Sequence, residues 1–425
     1  MSKATARLLP LLTVGFIVAY MDRTNISFAS EQMNRALGFS ATIYGLGAGL
    51  FFLAYASFEV PSNMLLVRFG ARRWIARIMF TWGLIAIGMA FVREPWQFYA
   101  MRFLLGIAEA GFFPGIMYYL TQWFPANQRA RAISRFYIAL PLGTAIMGAV
   151  AGSLLSLQGR LGLAGWQWMF IVEGIPALLM SIAILRWLPD GPSQARWLTQ
   201  PERGWIARAL AKDPTGAPPA AGHNVLRTLG HPVVLRFGVF FFLVLGANIT
   251  FTFSAPILLG QATHLDASGV GYLISAANLV ATLVMLLNCW HSDRTGERHW
   301  HMIVPLGFVA LASLVWVAFP TPAIVIGAYF IAMMAYYAMI TLVWPLASAE
   351  LSPPMVAVSF AAINSIGQLG SFVAPFAWGW AKDATGSYNA GLWVLPIPYA
   401  VGAVIVLLSG RRGLVQRTEP AAVVR

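Results

Sequence analysis

Long apolar runs alternate with short polar breaks along the chain. The spacing predicts twelve membrane-spanning helices near 8–30, 43–66, 74–92, 95–120, 134–157, 168–188, 233–259, 268–290, 301–319, 322–347, 355–380 and 389–410. Each run is close to the ~20 apolar residues that cross a bilayer. One long polar interval, 189–232, falls between the sixth and seventh runs and carries Asp213-Pro214-Thr215-Gly216 and Pro218-Pro219, a linker composition. The expected architecture is an all-α integral membrane protein with an N-terminal six-helix bundle (1–188), a linker with a short amphipathic helix (189–232), a C-terminal six-helix bundle (233–410) and a tail (411–425).

Composition narrows the class. The chain is 59% hydrophobic and 10% charged over 425 residues, against about a quarter charged in soluble domains. Twelve spans absorb nearly all of that apolar content and leave no room for a large extramembrane enzyme. The net charge of +13 would suit a nucleic-acid binder if the basic residues clustered on one soluble face. Instead, 22 of the 28 Lys and Arg fall in segments that twelve crossings place on one side, and Arg35, Arg93, Arg160 and Lys382 fall on the other. By the positive-inside rule, both termini and the linker are cytoplasmic. The apolar run from Leu8 to Tyr20 continues without a small-residue cleavage site, so it is expected to be the first span rather than a signal peptide.

An internal repeat accompanies the division. Arg68-Phe69-Gly70-Ala71-Arg72-Arg73 after span two resembles Asp293-Arg294-Thr295-Gly296-Glu297-Arg298 after span eight, at an offset of 226 that also carries the start of span one onto that of span seven. Parallel repeats of this kind build transporters that hold substrate between the halves near the midplane. Within the linker, Thr199-Gln200-Pro201-Glu202 reads as a capping box opening a helix to about Lys212. Trp197, Trp205, Arg203 and Arg208 suit either an interfacial position or a solvated connector.

Ionisable groups in hydrocarbon are costly and mark substrate or ion paths. Asp22 and Arg23 lie in span one, Arg102 and Glu109 in span four, and Glu59 in the cytoplasmic half of span two, while Glu173 and Glu350 lie nearer helix ends and are expected to be interfacial. Arg102 and Glu109 are seven residues apart, which returns to nearly the same helix face about 10 Å along the axis. A buried Arg presents a planar donor fork that matches a carboxylate, and a buried acid can carry a proton. The same residues could instead form ion pairs, such as Asp22 with Arg102, that only hold helices in register.

The second half offers neutral groups: Asn248, which the offset aligns with Asp22, and Thr250, Tyr336, Tyr337, Asn364 and Gln368. These can orient hydroxyls or stack on a ring, or simply pack and hydrogen-bond between helices. Gly45, Gly47 and Gly49 in span two and Gly143, Gly148 and Gly152 in span five allow close backbone approach. The six histidines fall in loops or at span ends, His299-Trp300-His301 shows no nearby Cys or acidic partner, and Cys289 is the sole cysteine, so no metal and no disulfide are expected. The chain contains neither a phosphate-cradling Gly-x-x-x-x-Gly-Lys nor a nucleophile elbow.

Tyr20-Met21-Asp22-Arg23-Thr24-Asn25-Ile26, Phe58-Glu59-Val60-Pro61-Ser62-Asn63 and Arg102-Phe103-Leu104-Leu105-Gly106-Ile107-Ala108-Glu109-Ala110 carry a family resemblance. So do Trp123-Phe124-Pro125 with Arg129-Ala130-Arg131-Ala132, and Leu188-Pro189-Asp190-Gly191-Pro192. Together they resemble the anion:cation symporter family of the major facilitator superfamily, and most nearly its tartrate, hydroxyphenylacetate and phthalate branch, with sugar-acid transporters close by. The resemblance implies proton-coupled uptake of a small organic carboxylate by alternating access across a bacterial inner membrane, by a monomer without cofactor or nucleic-acid partner. It implies that Asp22, Arg23, Arg102 and Glu109 form the binding and coupling constellation, in which Arg23 or Arg102 is expected to hold the carboxylate and Glu109 with Asp22 to carry the proton. From the residues themselves, Asn248, Tyr336, Asn364 and Gln368 are the further substrate-binding candidates and Glu59, Arg68, Asp293 and Arg294 the gating candidates. Where the superfamily usually has an acid before Arg-x-Gly, the first half has Val67, which puts a latch built on that acid in doubt there. A proton-linked exporter of drugs or metabolites is the alternative; Pro141 stands in span five without the Gly-Pro arrangement associated with antiporters.

Overall fold

The structure is a computed structural model that describes residues 2–211, 230–351 and 355–418. The Asp213–Gly216 and Pro218-Pro219 stretch of the expected linker, Lys212, His223 and tail residues 419–425 lie outside the described residues.

All regular elements among the described residues are helical. Spans one to three are Ser2–Leu37, Ala41–Phe69 and Ala71–Met89. Span four is Pro95–Glu109 followed by Phe112–Thr121, span five is Ala126–Tyr137 followed by Ala139–Leu155, and span six is Gly165–Trp187. A linker helix, Gln200–Ala211, precedes span seven (Pro232–Thr263), span eight (Ala267–Thr295) and span nine (Trp300–Ala318). Span ten is Pro322–Ile340 with Val343–Ala349, span eleven is Val356–Thr385, and span twelve is Asn389–Val394 with Pro396–Thr418. The last helix thus continues through part of the segment expected as tail. In a bilayer every backbone polar group must be satisfied within the protein, which makes helices the form available to these apolar runs. An even number of crossings returns the chain to the face on which it starts, called here the terminal face.

Local chemistry sets the ends. Ser40 Oγ accepts the Ile43 amide at 3.2 Å to open span two, and Asp266 Oδ1 accepts that of Gly269 at 2.8 Å to open span eight. Span three is opened from a distance: Asp190, beyond span six, accepts the Arg72 amide at 2.8 Å. Asp190 therefore brings a carboxylate to the loop in which Val67 replaces the expected acid.

Span four departs from the continuous helix that its hydropathy predicts. Ala110 leaves helical geometry at ψ 132, and Gly111 adopts a left-handed φ of +85 before the helix restarts at Phe112. A side chain at Gly111 would be strained by that φ and would meet Ser62 Oγ at 2.4 Å. The break makes Glu109 the last residue of its helix.

Within the first half, span three packs on span six and span two on span four; within the second, span seven packs on span eleven and span nine on span ten. The halves meet where span two faces span eleven, span five faces span eight, and span one faces span seven. Glycines make these seams close. A Cβ on Gly45 would lie 2.3 Å from Pro375 O, one on Gly49 2.5 Å from Phe372 O, and one on Gly271 2.2 Å from Gly148 O. Gly47 instead faces the Phe98 ring, and Gly143 faces Tyr20 of span one. Asp383 at the end of span eleven accepts the amides of Ala41 and Thr42 and the Thr42 hydroxyl, capping span two across the seam.

The linker helix packs on the terminal face of the first half. Thr199 N donates to Glu202 Oε2 at 2.8 Å, as a capping box requires. Lys3 pairs with Glu202 at 2.7 Å, Arg7 lies over Trp197 at 5.4 Å, and Trp197 stacks on Trp123. Ile206 is buried and Trp205 exposed, so one face of the helix docks while the other looks outward.

Candidate functional site

Span one carries its polar residues deep in the first half. Arg23 Nε donates to Glu109 Oε1 at 2.6 Å, and Arg23 Nη2 lies 2.5 Å from the same oxygen. Glu109 is fully buried, whereas the Arg23 side chain keeps 13% exposure. The Arg23 guanidinium lies over the rings of Tyr20, Phe51 and Tyr55 at 5.5, 5.6 and 5.0 Å. Such cation–π contacts strengthen when desolvated and hold the fork in place.

Arg102 is more enclosed. Its Nε donates to Gly47 O at 3.4 Å and its Nη2 to Ala48 O at 3.5 Å, and its guanidinium lies 4.9 Å from the Phe51 ring it shares with Arg23. The Asp22–Arg102 ion pair that the sequence allowed does not form. Asp22 Oδ1 instead accepts the Asn25 amide at 3.3 Å, and the two charges act on each other through space. Arg102 and Glu109 are both buried in span four, as their spacing predicts, but the partner of Glu109 comes from span one.

The neutral groups of the second half divide. Asn248 interacts with the Tyr399 hydroxyl of span twelve, Tyr336 packs edge-on against Tyr337 at 5.4 Å, and Gln368 is buried with Oε1 unpartnered. Tyr336 and Tyr337 are both buried on span ten. Asn364 donates to Glu59 Oε2 at 2.8 Å, joining span eleven to the terminal-face half of span two. Tyr20, Tyr55, Tyr137 and Tyr399 also belong to this neighbourhood and were not among the expected site residues. The Tyr20-Met21-Asp22-Arg23 motif was the available signal for Tyr20; nothing in the sequence singled out the others.

Of the other expected gating residues, Arg68 lies over Phe69 and Arg294 over Trp290, each within its own span, and Asp293 is exposed. Two expectations need correction. Glu173, expected at the interface, is 3% exposed, because span six turns that face toward spans one and three. His301, expected without an acidic partner, bonds Glu297 Oε2 at 2.7 Å and His291 Nδ1 at 2.6 Å, because the turn between spans eight and nine folds their ends together. Burial pushes the Glu297 carboxyl up, but the Trp300 amide and the His301 ring and amide outweigh it and hold the group below the usual carboxylate range. Among the described residues no group of three or more His, Cys, Asp or Glu is placed to hold a metal. Glu350 pairs with Arg236 at the terminal face.

The arrangement can bind an anion at one accessible guanidinium whose counter-ion is a buried carboxyl. A hollow of about 550 Å³ between spans eight, nine and ten is lined by Val284, Phe308 and Met334 and lies apart from these charges.

Comparison with known proteins agrees with this layout. The model of the Major Facilitator Superfamily matches residues 12–375. An Agrobacterium vitis protein that carries the provisional name of tartrate transporter is 41% identical over 410 residues, covering 96% of this chain and 91% of its own. An Acinetobacter baumannii protein named as a quinolone resistance transporter is 35% identical, covering 95% and 93%. Among solved structures, the inward-facing, unoccupied form of a bacterial homologue of the human lysosomal transporter Spinster superposes with a TM-score of 0.76 at 19% identity, covering 99% of this chain and 100% of that one. The buried charges, the paired seams and these matches together establish the chain as a multi-pass membrane transporter belonging to the Major Facilitator Superfamily.

Proposed function

We propose that this transporter imports a small organic carboxylate of the tartrate type together with protons, and that its terminal face is the cytoplasmic side of a bacterial inner membrane. The observation that carries the proposal is the Arg23–Glu109 pair, in which a guanidinium that keeps 13% side-chain exposure is neutralised by a fully buried carboxyl. A proton on Glu109 removes the counter-charge and frees the fork of Arg23 for a substrate carboxylate, which it can grip through two parallel hydrogen bonds. Loss of the proton lets Glu109 reclaim Arg23 and expel the anion. Arg102 keeps the field positive and balances Asp22, the second proton carrier. Asn248, Tyr336 and Gln368 face substrate hydroxyls, and Glu59 with Asn364 closes the cytoplasmic half. Tartrate-named relatives and the excess of basic residues on the terminal face support this reading.

Each proton beyond electroneutrality adds ~2.3 kcal/mol of driving force per 100 mV. The test is uptake of a panel of organic acids, L-tartrate included, into proteoliposomes under an imposed pH gradient, with wild type beside Glu109→Gln. Concentrative uptake by wild type and only equilibration by the variant is the expected result. A variant that still concentrates substrate when pH is the sole gradient removes Glu109 from the coupling.

The identity with a quinolone resistance transporter favours a second reading, proton-linked export. Substrate movement against the proton gradient, measured in the same vesicles with a quinolone, would select it.

A further inference from the structure

Glu173 is a buried acid that the mechanism above does not use. It is 3% exposed, and neither carboxyl oxygen has a hydrogen-bond partner. It faces span one at Asn25, close enough for the two side chains to interact, and it couples electrostatically to Asp22. The Asn25 amide nitrogen donates to Asp22 Oδ1 at 3.3 Å while Asn25 Oδ1 is buried and unpartnered, as is Asp22 Oδ2. Glu173 Oε1 and Oε2, Asn25 Oδ1 and Asp22 Oδ2 are thus four buried acceptor oxygens without a donor. A buried acceptor without a donor is unfavourable, and a carboxyl that carries a proton is itself a donor.

The charges point the same way. Among the described residues, the interior of the first half holds Asp22, Glu59, Glu109 and Glu173 against Arg23 and Arg102. Glu109 has Arg23, Asp22 has Arg102 nearby, and Glu59 has the Asn364 amide. Glu173 has no cation. Of the helices packed on it, span one offers Asp22, its Arg23 being paired with Glu109 and its exposed Arg35 with Glu31; the second helix of span five has no ionisable residue, and span three has Arg72, Arg73 and Arg77 near the terminal face. Arg186, on span six itself, is thirteen residues away, about 20 Å along the helix.

Position gives the site a direction. Asp22, Asn25, Ala29 and Gln32 share one face of span one by their spacing. Gln32 Oε1 lies beside Gly165 at the start of span six, at the face opposite the termini. Glu173 thus stands between that face and Asp22.

We propose that Glu173, beside Asn25, forms a second proton-binding site in the first half, which exchanges with the face opposite the termini and is coupled to the Asp22–Asn25 pair of span one. The site rests on the proton-coupled reading for its role in transport, but its protonation can be tested without substrate. The experiment is infrared difference spectroscopy of the full-length protein in lipid between alkaline and acidic pH. The expected result is a protonated-carboxyl stretch that persists in Asp22→Asn, is lost in Glu173→Gln and is shifted in Glu173→Asp, while the carboxyl band of Asp22 titrates at a different pH in Glu173→Gln. Coincident spectra for wild type and Glu173→Gln overturn the proposal. If that variant does not fold, an unshifted band in Glu173→Asp overturns it equally. Stabilisation by sodium over potassium chloride that is lost in Glu173→Gln would assign the pocket to sodium and overturn the proton. In proteoliposomes the proton-to-L-tartrate ratio is expected to fall by one in Glu173→Gln, and an unchanged ratio removes Glu173 from the coupling. Failure of wild type to move L-tartrate would count against the transport reading, while the infrared bands still decide the site.

Discussion

Arg23 and Glu109 stand 86 residues apart in the chain and 2.6 Å apart in the structure, with the carboxyl more deeply buried than its partner. Removing the guanidinium strands a carboxyl, whereas removing both charges does not. A charged hydrogen bond contributes about 1.5–3 kcal/mol, so Arg23→Gln should weaken carboxylate binding by roughly 10- to 100-fold. Arg23→Lys should fall between, because a point charge lacks the fork. Thermal unfolding in detergent should show Arg23→Gln less stable than wild type and the Arg23→Gln/Glu109→Gln pair recovering part of the loss. Additive losses would mean that the pair is not coupled.

Asp383 caps span two from span eleven through three hydrogen bonds that cross between the halves. Asp383→Asn should cost this seam about 1 kcal/mol, roughly a fivefold shift toward opening of the face opposite the termini. A cysteine placed at Ala41 should then react faster with an impermeant maleimide added from that face.

Spans five and eight approach through glycine backbones, and a Cβ on Gly271 would sit 2.2 Å from Gly148 O. Gly271→Ala should force these helices apart while leaving each half folded. Spin-label distances across the seam should lengthen and turnover should drop, with substrate affinity much less affected.

The tether between the N-terminus and the linker helix should survive acid. Lys3, followed by the Thr199 amide, holds the Glu202 carboxyl down to about 2. A depressed carboxyl contributes its stabilisation in full above the unfolded value near 4.3 and loses it as pH falls through the folded value. Amide exchange in Gln200–Ala211 should therefore be slowest above about 4.3 and quicken progressively as pH falls from there toward about 2, after correction for intrinsic rates. In Glu202→Gln it should be fast throughout.

Twelve spans, the long polar interval after the sixth and the asymmetry of basic residues were legible in the sequence because burial in lipid imposes a one-dimensional rule: about twenty apolar residues per crossing. The same rule picked out Asp22, Arg23, Arg102 and Glu109, since charge within such a run is rare and costly. Pairing was not legible. Helical spacing put Arg102 and Glu109 on one wall, yet Arg23 took Glu109, and only the tertiary placement of span one relative to span four could decide that. Span four breaks at Gly111, where a positive φ and the approach of Ser62 from span two leave no place for a side chain. Glu173 was misplaced by its distance from a helix end, since depth along a helix says nothing about which neighbour its face meets. Hydropathy is a property of each run alone. Partners depend on how the runs are rotated against each other, and that is settled by side-chain and backbone contacts among residues far apart in sequence.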